Sequence, residues 1–265
     1  MRSLLALLSL AAAQAFAADP AVIYLAGDST MAEKTAEVRP ETGWGEKLSK
    51  FFDDRAVRVE NHAKNGCSTR SFIAEGRWTA LVDALHAGDY VFIQFGHNDE
   101  AVDRKDVYTP PDEYRGNLAR FVTDVRAHEA TPVLLTPVMR RRFDQRGQLQ
   151  DTHGAYPDIV RKLAADQAVA LIDMHRDSAG VLREYGAEGS KKLFLILPPG
   201  ANPNYPQGIE DNTHFSPLGA EEMAAIAVDE LLELVPELAR HVKQKPARTS
   251  QLFKDSEQLR FDAVP

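Results

Sequence analysis

Val22-Ile23-Tyr24-Leu25-Ala26-Gly27-Asp28-Ser29-Thr30 decides the architecture. The apolar run Val22 to Ala26 has no polar alternation, so it reads as a strand covered on both faces, as in a parallel sheet. The Gly-Asp-Ser that follows places a hydroxyl at the carboxyl end of that strand. Val57 to Glu60, Tyr90 to Phe95, Val133 to Thr136 and Val169 to Ile172 are four further strand candidates. Between them Tyr114, Leu118, Phe121, Val122 and Val125 fall at helical spacing, as do Ile159, Val160 and Leu163. Strands alternating with amphipathic helices predict an α/β domain with a parallel five-stranded sheet and helices on both faces. A last helix is expected after His214, with Ser216 as its cap, Pro217 in the first turn, Glu221 and Glu222 following, and Met223, Ile226 and Leu231 on its apolar face.

In that arrangement Ser29 follows the first strand, Asn61 to Gly66 the second and Asn98 the third, so all three emerge on the carboxyl rim, where open α/β sheets bind ligands. A serine hydroxyl becomes a nucleophile at neutral pH when an imidazole takes its proton and a carboxylate fixes that imidazole's tautomer. Asp211-Asn212-Thr213-His214 supplies both, with Asp211 expected on the same turn as His214. The backbone N–H groups of Ser29 and Gly66 and the Asn98 side-chain amide are candidate oxyanion donors. Asp99 reads as a structural ligand of its turn. His97 and His153 have no spacing that dictates a role and stay outside the catalytic set.

The chain has 265 residues, 44% of them hydrophobic, enough for one domain with its own core. Residues 1–17 read as an export signal: Arg2 is the charged start, Leu4 to Ala13 the apolar stretch and Ala15-Phe16-Ala17 the cleavage site. The apolar stretch is shorter than the ~20 residues of a membrane span. The mature protein is expected to be secreted or periplasmic, without membrane attachment, as a domain over 18–236 and a poorly ordered or loosely docked polar tail over 237–265. Cys67 is the sole cysteine, so an intrachain disulfide is impossible, and its expected role is small apolar packing. A net charge of −8 disfavours nucleic acid as a partner, although Arg140-Arg141-Arg142 forms a local basic cluster. Gly27-Asp28 and Gly96-His97-Asn98-Asp99 share letters with metallophosphoesterases, but those place Asn before His and would leave Ser29 idle. There is no zinc-finger spacing and no His-Glu-x-x-His, so neither metal nor cofactor is expected. A non-catalytic glycan-binding module would need exposed aromatic platforms, whereas core packing accounts for Trp44 and Trp78.

The blocks Gly27-Asp28-Ser29-Thr30, Asn61-His62-Ala63 to Gly66, Phe95-Gly96-His97-Asn98-Asp99 and Asp211-Asn212-Thr213-His214-Phe215 resemble those of the GDSL (SGNH) hydrolases. Ser71-Phe72, Glu75-Gly76-Arg77-Trp78 and Thr136-Pro137-Val138 narrow the resemblance to the rhamnogalacturonan acetylesterases. The resemblance implies a flavodoxin-like three-layer α/β/α sandwich, the SGNH hydrolase fold. It also implies Ser29 as nucleophile, Asp211 and His214 as its triad partners, and Ser29, Gly66 and Asn98 as the oxyanion hole. The implied partner is an acetylated pectic polysaccharide; the alternative is another acyl ester, acetylxylan or lipid. For a uronate carboxylate Arg141 and Arg142 are the candidate contacts, against the plainer reading of a solvated charge run. Two departures from the family pattern stand out: Cys67 lies between Gly66 and Ser68, where small residues are usual, and Leu193 to Glu210 lengthens the approach to Asp211 in a way expected to reshape the cleft.

Overall fold

Strand β1 (Ala21–Gly27) sends alternate side chains to opposite faces, and both faces are core. Ile23 and Leu25 join one buried cluster, Val22, Tyr24 and Ala26 the other. The computed structural model describes residues 20–243. In it β1 pairs in parallel with β2 (Val57–Asn61) on one side and β3 (Tyr90–Gln94) on the other, and β4 (Thr131–Leu135) and β5 (Ala170–Ile172) extend the sheet. The order is β2-β1-β3-β4-β5. All five strands lie where the apolar runs place them.

One face is covered by α1 (Gly45–Leu48), α6 (Met174–Gly189), α7 (Pro217–Leu234) and α8 (Pro236–Ala239). The other carries α2 (Thr69–Ala74), α3 (Arg77–Val82), α4 (Pro111–Ala127) and α5 (Tyr156–Asp166). The sheet is thus the middle of three layers. Tyr114, Leu118, Phe121, Val122 and Val125 all face inward from α4. The Ser216 hydroxyl accepts from the Gly219 N–H, which caps α7 as its sequence predicts. Both tryptophans are buried: Trp44 donates to Gln94 Oε1 at 2.8 Å, and Trp78 stacks on Phe121 while donating to Asp124.

Two expectations need revision. Leu193 to Glu210 does more than lengthen a loop, because β6 (Phe194–Leu197) and β7 (Ile209–Phe215) form an antiparallel ribbon outside the main sheet. Asp211 and His214 therefore sit in a strand, and the turn expected there survives only as Asp211 Oδ1 accepting the N–H groups of Thr213 and His214. Packing also continues past Pro236: Leu238 is buried, and Val242 bridges to Phe52. The signal segment and the tail beyond Lys243 lie outside the described residues. No described helix is long and apolar enough to cross a membrane.

Candidate active site

The chain leaves β1 through Gly27, where a Cβ would stand only 2.8 Å from the Gln94 carbonyl oxygen, so no larger residue fits against β3. Asp28 then turns the backbone, its Oδ1 accepting both the N–H and the hydroxyl of Thr30 at 2.9 Å. Ser29 projects from this fixed turn. Its Oγ is 2.8 Å from His214 Nε2, and His214 Nδ1 is 2.7 Å from Asp211 Oδ2. The proton on Nδ1 is held by the carboxylate, which leaves Nε2 to accept from the serine hydroxyl. Burial lowers the His214 pKa, but hydrogen bonding and charge from Asp211, aided by Glu41, outweigh it and raise the value above the ordinary one. Burial would raise the Asp211 pKa, and its bonds to His214 and Thr213 bring it below the ordinary carboxylate value.

Beside Ser29 stands the turn carrying Gly66, whose φ of +79° favours glycine. Among the described residues the N–H groups of Ser29 and Gly66 have no partner within the chain. Asn98 gives one amide hydrogen to the Cys67 carbonyl at 2.9 Å, while its Oδ1 accepts from Arg104 Nη1 at 3.0 Å. Its second amide hydrogen remains for a ligand. All five residues expected at the site are thus gathered at one rim.

Several charged groups around them escape sequence reasoning. The Lys34 ammonium is fully buried and contacts the Ser29 carbonyl oxygen at 2.5 Å, Asn65 Oδ1 at 2.8 Å and Glu41 at 2.7 Å. It ties the Ser29 turn to the loop that carries Gly66. In sequence only its position five residues after Ser29, beside Met31 and Ala32, hints at this burial. Asp28 and His97 face each other at 3.4 Å in the interior, too poorly aligned to bond. Burial pushes the His97 pKa down to about 4, so this imidazole is neutral at pH 7. His153 is braced between Glu100 and the Val138 carbonyl, and Glu100 also holds Arg140. Asp99 accepts from the Thr69 N–H and hydroxyl, which anchors the start of α2. Cys67 is buried and its thiol pKa is raised by that burial, in keeping with packing. Among the described residues no cluster of His, Cys, Asp and Glu is placed to hold a metal ion.

The expected uronate contacts are not supported as drawn. Arg141 turns inward: its Nε donates to Ser190, Nη1 to Asn212 Oδ1 at 2.5 Å and Nη2 to the Ala187 carbonyl, while its backbone N–H donates to Asn212 O at 2.8 Å. These bonds grip β7 between Asp211 and His214 and leave the guanidinium unavailable to a ligand. Arg142 is exposed, and its backbone N–H donates to the Arg140 carbonyl. Among the described residues no hydrogen bond or ion pair joins it to the Ser29 site.

A strand-end hydroxyl with an imidazole in reach and free donors beside it suits acyl transfer to serine, and on this sheet it defines the class of three-layer α/β hydrolases. The sequence profile of the GDSL-like Lipase/Acylhydrolase family matches residues 25–221, and the chain belongs to that family. It is a carboxylic ester hydrolase. The rhamnogalacturonan acetylesterase RhgT of Bacillus subtilis is 40% identical over 229 residues, covering 86% of this chain and 97% of the relative. A rhamnogalacturonan acetylesterase of Emericella nidulans is 51% identical over 77 residues, 29% of this chain and 28% of that one. Among solved structures, protein YXIM of Bacillus subtilis superposes with a TM-score of 0.69 at 26% identity, over 80% of this chain and 56% of that one. The acetylxylan esterase Axe2 of Geobacillus stearothermophilus shares the fold, with a TM-score of 0.58 at 18% identity over 81% and 95% of the two chains.

Proposed function

We propose that this protein is an exported serine esterase that removes O-acetyl groups from a pectic polysaccharide, rhamnogalacturonan in particular. The observation that carries the chemistry is the hydrogen-bonded series Ser29 Oγ, His214 and Asp211 beside the unpartnered Ser29 and Gly66 N–H groups. The substrate is supported by the RhgT relative, matched over nearly its whole length. Export is supported by the signal-like segment at 1–17.

In this reading His214 Nε2 takes the Ser29 proton as Oγ attacks the acetyl carbonyl. The N–H groups of Ser29 and Gly66 and the free Asn98 amide hydrogen receive the developing oxyanion. Asp211 stabilises the imidazolium, which then protonates the departing sugar oxygen and leaves an acetyl ester on Ser29. Water, deprotonated by the same imidazole, releases acetate. The test is acetate release from acetylated rhamnogalacturonan, acetylated xylan and longer acyl esters, by the wild type and Ser29→Ala. Preference for the pectic substrate with no turnover by a folded Ser29→Ala is expected. Turnover by that variant overturns the mechanism, and preference for xylan or lipid esters overturns the substrate.

A further inference from the structure

The segment after Asn98 coils back over the site. Ala101 N–H bonds the Asn98 carbonyl at 3.1 Å and Arg104 N–H bonds the Ala101 carbonyl at 2.9 Å, so the side chain of Arg104 returns to the oxyanion donors. Nη1 is fixed by Asn98 Oδ1 at 3.0 Å, and Nη2 lies 4.0 Å from the place a Cβ on Gly66 would take. The guanidinium thus spans Gly66 and Asn98. Half of this side chain is exposed, and the one carboxylate that pairs with it among the described residues, Asp106, is 4.0 Å away and 76% exposed. Four other cations around the rim are committed: Lys34 to Glu41, Arg70 to Glu113, Arg140 to Glu100 and Arg141 to β7. Ala101, Val102 and Asp103 of the same coil also help wall an open cleft of about 410 Å³.

We propose that Arg104 is the specificity-determining residue that binds the carboxylate of the acidic sugar ring bearing the ester. The assignment rests on the pectic reading above and adds the group that discriminates uronate from neutral esters. A guanidinium presents parallel N–H donors that match a carboxylate. Because Asn98 already fixes one nitrogen, little side-chain freedom is lost on binding. The same bond makes Arg104 a positioning residue for the Asn98 amide, so its loss affects every ester, and acidic esters in addition.

The experiment compares O-acetylated galacturonate with O-acetylated galactose, which differ only in the carboxylate, as substrates of the wild type, Arg104→Gln and Arg104→Glu. The wild type should favour the uronate ester in kcat/KM by roughly tenfold to a hundredfold, the scale of one charge-assisted contact. Arg104→Gln should lower kcat on both esters, raise KM on the uronate ester alone and bring the preference near one; Arg104→Glu should invert it. Equal losses on both esters with the preference intact would leave Arg104 a positioning residue only and overturn the proposal. Lack of preference in the wild type would overturn it too, and acetate release from acetylated rhamnogalacturonan over xylan then decides separately whether the pectic reading stands.

Discussion

His214 is set by opposing neighbours, which gives its titration a definite sign. Burial favours the neutral ring; Asp211 and Glu41 favour the charged one, Lys34 opposes them, and the balance raises the pKa above the ordinary histidine value. A protonated ring cannot accept from Ser29, so kcat/KM should fall as pH drops through that raised pKa. Asp211→Asn removes most of the upward pull: its acidic limb should move to lower pH, and kcat should fall on the order of 10⁴-fold because the imidazole loses its tautomer. A pH–rate profile measures both, and a limb that stays in place would detach Asp211 from this role. Ser29, Asn98, Asp211 and His214 are legible in sequence because each supplies a scarce chemical ability at a strand end or in a tight motif. Lys34, Glu41 and Arg104 are not, because one basic residue looks like any other among the 31 lysines and arginines, and one acid like any other among the 39 aspartates and glutamates. What separates them is which carboxylate lies within reach, and only the fold decides that.

At the scale of elements, the ribbon is where sequence reading falls short. Four of the five parallel strands are mainly apolar and β2 alternates valine with charge, but β7 reads Ile-Glu-Asp-Asn-Thr-His-Phe, and Asp and Asn are poor strand formers. Its pairing is set by β6, with an irregular register between Phe194 and Ile196, and by the grip of Arg141. Arg141→Ala should loosen β7 and lower kcat by roughly 10- to 100-fold, the effect of about 1 Å of misplacement, with KM little changed. The loss should be equal for acidic and neutral esters. Steady-state kinetics on the galacturonate and galactose pair checks this, and a loss confined to the uronate ester would restore Arg141 as a substrate contact. The same inward bonds should cost stability when removed, since Ala187 and Asn212 would lose their partner, by about 1–3 kcal/mol.

The whole molecule carries a pH dependence of its own through Asp99. Burial raises its pKa to about 7 against the pull of its bonds from Thr69, so the folded chain holds a proton there that the unfolded chain releases at ordinary carboxylate pH. Its stabilising effect is full below that ordinary value and is lost as pH rises toward about 7. Asp99→Asn keeps an acceptor for Thr69 and has no charge to bury. The melting temperature of the variant should therefore gain on the wild type between about pH 4 and 7, and a constant difference across that range would refute the account. A final consequence concerns time. Ser29 and His214 meet across 185 positions of chain, one after the first strand and the other in the last. A ribosome has released most of the domain before the imidazole exists, and no N-terminal fragment can hydrolyse an ester by this route. Regained turnover in a refolding experiment would thus mark the docking of the ribbon, after the sheet's own signal has already returned.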